Sequence, residues 1–190
     1  MNTMSLLRLL VLVAASSSLA AAGDEKPPCP GAPSMTVEAV CRNASGTQAM
    51  YDVCKDALGG GAVPDPLSDH DVTVYALAAE RGALASVGAT LGTAVDLVLH
   101  NSSLSGDEKD AYTQCAEAYA TAERAMGSVV GKLDVCRLDG LADDYLNGLL
   151  DIESCRDRVL KLPASPLYAM VLVDRNKAAL AFLLGKLLGI

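Results

Sequence analysis

Tyr112, Tyr119, Met126 and Leu133 recur every seven residues, with Cys115, Ala122 and Val129 between them. This is the a/d stripe of a helix that buries one face. Upstream, Leu77, Leu84, Leu91 and Val98 repeat at the same interval with Val87 and Ala94 interleaved, which predicts a long helix over 71–99. Downstream, Leu141, Tyr145, Leu149, Ile152, Cys155, Val159 and Leu162 keep a three-four spacing. A last helix opens at Ser165-Pro166, where serine caps and proline is tolerated in the first turn. Its expected stripe is Ala169, Val173, Asn176, Leu180, Leu183, Leu187 and Ile190, with Asn176 its polar member at the stripe's edge. Four amphipathic helices with short breaks ("HNSSLSGD", "DVCRLDG", "LPASP") predict an antiparallel four-helix bundle over 69–190. Nothing in the pattern reads as strand.

Ahead of the bundle, "LGGGAVPDPLSD" is a linker, and residues 35–42 and 48–58 have the length of two short helices joined by "NASG", with Thr47 as an N-cap. Residues 35–58 therefore form a helical hairpin, and the proline-rich residues 23–34 form an extended segment. The first 22 residues carry Arg8, an apolar run "LLVLVAA" and then small residues, the pattern of a cleaved secretory signal. No later segment reads as a membrane span, and the C-terminal apolar run is interrupted by Lys177 and Lys186.

A secretory route changes how the six cysteines are read: they are disulfide partners, and sequence alone allows fifteen pairings. Cys115 and Cys155 lie on inward stripes of neighbouring antiparallel helices and are placed to bridge. Cys41 and Cys54 then close the hairpin, which is too short to hold by propensity alone. Cys29 and Cys136 remain. Cys136 follows the second bundle helix at the end where the hairpin enters, so the pair can bridge if the hairpin folds back. Two free thiols, or a dimer through Cys29, are the alternatives. Sequons at Asn43 and Asn101 are glycosylation candidates.

The formal net charge of −8 argues against nucleic acid and anionic membrane and suits a basic partner. One Phe and no Trp argue against a carbohydrate groove built on stacked rings. There is no G-x-S-x-G, and neither His70 nor His100 lies near a cysteine, so no catalytic constellation, metal site or cofactor is expected. Asp143, Asp144, Asp151 and Glu153 read as the solvated face of the third bundle helix rather than an acid/base pair. The small residues Gly82, Ala83, Ala85, Gly88, Ala89 and Gly92 read as close helix packing. A second, different reading makes them room for an apolar ligand, and the protein a secreted helical carrier.

"MYDVCKDAL" around Cys54, "CAEAYATA" from Cys115, "SCRD" at Cys155 and "SPLY…RNKAALAFLL" at the end, in this order, resemble the plant invertase inhibitor and pectin methylesterase inhibitor family. The resemblance covers nearly the whole chain after the signal. It implies an all-α fold in which hairpin and bundle form one inhibitor domain. It also implies pairing of the four matching cysteines in sequence order, Cys41 to Cys54 and Cys115 to Cys155. The implied function is a monomeric, non-enzymatic, secreted protein of the cell wall, with the vacuole as alternative, that sterically blocks the cleft of a cell-wall enzyme. Invertase inhibitors of this family often carry a Pro-Lys-Phe stretch between the second and third bundle helices. This chain has "KLDVCRLDG" over 132–140, which makes pectin methylesterase the favoured target and acid invertase the alternative. Val159 stands where the family often has phenylalanine. Arg137, Leu138 and Asp139 on that connection are the partner-contact candidates, and the plain alternative is a loop in which Asp139 caps the third helix.

Overall fold

A computed structural model describes residues 29–162 and 164–190; the expected signal over 1–22 lies outside these residues. Among these described residues six helices follow one another: α1 (Val37–Ala44), α2 (Gln48–Leu58), α3 (Val72–His100), α4 (Gly106–Asp134), α5 (Leu141–Val159) and α6 (Pro166–Lys186). The fold is all-α, with α3 to α6 forming the bundle and α1–α2 the hairpin at one end of it. One correction concerns extended structure. Two short strands, β1 (Ser34–Met35) and β2 (His70–Asp71), pair antiparallel, Ser34 opposite Asp71. Two residues are too few to show a period of two, so this pairing has no trace in the hydrophobic pattern.

Local chemistry sets the ends. Thr36 caps α1 by accepting from Ala39 N at 3.2 Å, which starts that helix two residues later than expected. Thr47 caps α2 through Met50 N, and Ser165 caps α6 through Leu167 N ahead of Pro166. Ser105 and Glu108 form a reciprocal capping box at the start of α4. Asp139 does not cap α5. That position belongs to Gly140, whose φ of +63° a residue without a Cβ adopts freely, and no side chain caps the turn.

The interior has two apolar clusters stacked along the bundle. The one at the hairpin end joins Val40, Cys41, Cys54 and Leu58 to Tyr75, Leu133, Leu141 and Leu184. The distal one gathers Val87, Tyr119, Met126, Ile152, Leu167 and Val171. The stripe expected on α4 is buried at every position, Tyr112 to Leu133. The phase expected for α6 is wrong. Its inward residues are Leu167, Val171, Asp174, Ala178, Ala181 and Gly185, flanked by Leu180 and Leu184, while Ala169 and Val173 face solvent. On α3 the buried line runs Thr73, Ala76, Glu80, Ala83, Val87, Thr90 and Ala94, and Leu84, Leu91 and Val98 are only half-buried flanks.

Among the described residues α3 alone has the length and mean hydropathy of a membrane-crossing helix. In the structure it packs between α4 and α6 and places the Glu80 carboxyl in the core.

Gly185 fixes the approach of α6 to α5. A Cβ there would meet Tyr145 Cε2 at 2.6 Å and Ile190 Cδ1 at 3.1 Å. Gly185→Ala is expected to destabilise the fold by about 1–3 kcal/mol through overpacking. An unchanged melting temperature would show that the ring moves aside freely.

Candidate partner-binding surface

The three disulfides frame the surface. Cys41–Cys54 closes the hairpin, Cys115–Cys155 joins α4 to α5, and Cys29–Cys136 ties the N-terminal segment to the end of α4, with Cα separations of 5.6, 4.6 and 5.4 Å. No cysteine is free. The Asp71 carboxylate reinforces the last bridge. Its Oδ2 accepts from Cys29 N at 2.5 Å, and its Oδ1 accepts from the backbone N and hydroxyl of Thr73 at 2.7 and 2.6 Å. Tyr75 adds a bond from its hydroxyl to Met35 O at 2.6 Å. The hairpin is therefore fixed in orientation as well as closed.

Arg137, Leu138 and Asp139 lie on the turn beside this bridge. Arg137 and Asp139 are exposed, whereas Leu138 packs against the hairpin-end core. The turn is held from below. Arg137 N donates to Lys132 O at 2.9 Å, and Lys132 Nζ donates to Gly140 O at 3.1 Å and pairs with Asp144 at 2.7 Å. Ser128 donates to Asp144 at 2.6 Å. Burial raises the Asp144 pKa, but hydrogen bonds from Lys132 and Ser128 and the charges of Lys132 and Arg137 outweigh it and hold the carboxyl below its ordinary range.

The four carboxylates expected to be one solvated face divide. Asp143 is exposed. Asp144 is the brace just described. Asp151 is half-buried and its pKa is raised by that burial, against the charge of Arg124. Glu153 pairs with both Arg156 and Arg175, joining α5 to α6. Outward on α5 the exposed residues are Asp143, Leu146, Asn147, Leu150 and Asp157. Leu150 is 65 % exposed, one turn from Leu146, so α5 offers a partner a short aliphatic ridge.

The sequons differ in setting. Asn101 is exposed at the C-cap of α3, with Oδ1 accepting from Ser103 N at 3.1 Å. Asn43 is exposed too, but it lies in the last turn of α1 rather than in a loop, its Nδ2 donating toward Met35 Sδ at 3.6 Å.

The hydrophobic pattern missed two buried carboxyls. Glu80 is fully buried with no hydrogen-bond partner, and burial pushes its pKa up to about 8. The charge it would carry adds to burial in raising the Tyr145 hydroxyl, itself buried without a partner. Asp174 accepts through Oδ2 from Thr90 Oγ1 at 2.6 Å and Tyr119 Oη at 2.9 Å, joining three helices. Burial, then the charge and hydrogen bond of Asp174, raise the Tyr119 pKa. The sequence signal for Asp174 was its place in the 167–171–174–178–181 spacing, which is heptad-like once a polar member is allowed. Among the described residues no cluster of His, Cys, Asp or Glu is arranged to hold a metal.

No protein-family model and no curated protein matches the sequence. The solved structures do include a match: a mutant form of a pectin methylesterase inhibitor from Arabidopsis, 16% identical, with a TM-score of 0.66, covering 80% of this chain and 96% of that one. The chain has the fold of a pectin methylesterase inhibitor. At 16% identity the likeness is one of backbone course, and most side chains differ.

Proposed function

We propose that the chain is a secreted inhibitor of a pectin methylesterase, acting outside the cell by covering the enzyme's cleft and carrying out no catalysis. The observation that carries this reading is the likeness to an inhibitor of that enzyme over 96% of its length. The family resemblance of the sequence motifs supports it independently. So does the absence from 132–140 of the Pro-Lys-Phe stretch found in invertase inhibitors. A helical surface cross-linked by three disulfides loses little conformational freedom on binding. The negative net charge steers it toward a basic enzyme.

Gel filtration of the purified protein mixed with a pectin methylesterase, and in parallel with an acid invertase, tests the choice of target. The expected result is co-elution with the first alone, weakening as salt rises. Co-elution with the invertase alone would reverse the assignment. Glycans on Asn43 and Asn101 belong to the same extracellular reading, and peptide mapping of protein from a secreting host reads their occupancy.

Arg137 is proposed as a contact because it is exposed on a turn that is otherwise braced. Arg137→Ala is expected to weaken inhibition tenfold or more, about 1.4 kcal/mol, with little change in melting temperature. Unchanged inhibition would make the turn a plain connection. Leu138 is unsuited to this test, because its truncation disturbs the core it packs against.

A further inference from the structure

A cleft of about 260 Å³ opens on the bundle surface between α3 and α6. Ser86, Ala89, Met170 and Val173 form its walls, and the buried Thr90 and Asp174 close it from below. The walls are small or aliphatic, and Ala89 and Val173 are exposed. Asp174 is only 1% exposed. Its Oδ2 is taken by the Thr90 and Tyr119 hydroxyls, and its Oδ1 has no partner.

A buried carboxylate oxygen without a donor is costly, and a cation is the group that relieves it most. Neither of the chain's own nearby cations is hydrogen-bonded to Asp174. Arg175 pairs with Glu153, and Lys177 Nζ donates to Ser86 Oγ at 3.1 Å on the cleft's rim. With one carboxylate oxygen left, the site suits a single N–H donor on a point charge better than the two-pronged guanidinium. Aliphatic walls leading to a carboxylate match a lysine side chain, whose methylene stem packs on apolar surface while its ammonium seeks an acceptor.

We propose that this cleft binds one aliphatic ammonium group, the lysine side chain of the enzyme that the protein inhibits. The source of the lysine rests on the inhibitor reading; the ammonium site does not. Charge complementarity between an acidic protein and a basic target is consistent with that source.

The test has two arms on the full folded protein. In the first, methyl resonances of Met170 and Val173 are followed by NMR during titration with n-butylammonium, with n-butanol as the neutral control. Saturable shifts with the ammonium, absent with the alcohol and abolished in Ala89→Leu, are expected. That variant fills the cleft from an exposed helix position and leaves Asp174, Thr90 and Tyr119 in place. Absence of saturable shifts, or equal shifts with butanol, would overturn the site.

In the second arm, Ala89→Leu is expected to weaken inhibition of a pectin methylesterase tenfold or more with an unchanged melting temperature. Binding of n-butylammonium together with full potency of Ala89→Leu would overturn the enzyme lysine as the occupant and leave free aliphatic amines in its place. A wild-type protein that binds n-butylammonium but inhibits nothing would remove the inhibitor reading and the lysine source together, while supporting the ammonium site.

Discussion

Glu80→Leu is expected to stabilise the protein far more at pH 8 than near pH 4.5. Glu80 sits where the two apolar clusters meet, between the buried Ala79 and Ala83, with neither carboxyl oxygen hydrogen-bonded. Burial raises its pKa from 4.5 to about 8. The folded state therefore keeps the proton over a range in which the unfolded chain has released it. The sign follows: the stability tied to this proton is complete below the unfolded value of 4.5 and is lost as pH rises toward about 8. At 1.36 kcal/mol per unit, the loss is on the order of 4 to 5 kcal/mol, worth ~10 °C or more in melting temperature. Leucine has similar volume and no charge to bury, so the variant escapes the loss. The quantity to measure is the wild-type minus variant difference in unfolding free energy at several pH values, which cancels groups with the opposite trend such as Asp144. A difference that does not change with pH would show that Glu80 is not held neutral in the fold. Mildly acidic pH is the range in which this carboxyl costs least.

Removing the Cys29–Cys136 bridge by changing both residues to alanine is expected to be the most damaging disulfide deletion. It spans 107 residues of sequence, against 40 for Cys115–Cys155 and 13 for Cys41–Cys54. In the chain-entropy treatment these correspond to roughly 5, 4 and 3 kcal/mol. The double variant is also expected to lose amide protection in β1 and around Cys29, because the bond from Cys29 N to Asp71 needs the tail in place. The hairpin retains its own bridge and its contacts with the core. Calorimetry and hydrogen exchange read the two effects. A melting temperature unchanged by the double substitution would mean that Asp71 and the β1–β2 pairing alone hold the tail.

What was legible in the sequence depended on contrast between neighbouring positions. On α4, large inward residues such as Tyr119 and Met126 alternate with Glu117, Glu123 and Arg124, so the phase is plain. On α3 and α6, alanine, valine and leucine surround the helix, and periodicity has little to choose between. Their inward faces are marked instead by Glu80, Thr90 and Asp174, residues a hydrophobic pattern counts against burial. Asp174 finds its partners 84 and 55 residues away, a distance over which no local spacing carries information. The same limit applies to the braced turn: "KLDVCRLDG" shows the connection, but not that Lys132 spans it to Asp144. Helix ends were easier, because Thr47 and Ser165 cap through bonds two or three residues long.

The most direct test of the inhibitor account is a titration of a pectin methylesterase at mildly acidic pH with the purified, disulfide-intact protein, following release of methanol from pectin. The account predicts that activity falls with each addition until it is abolished, and that the protein alone releases no methanol. Full enzyme activity in the presence of a large molar excess would contradict it.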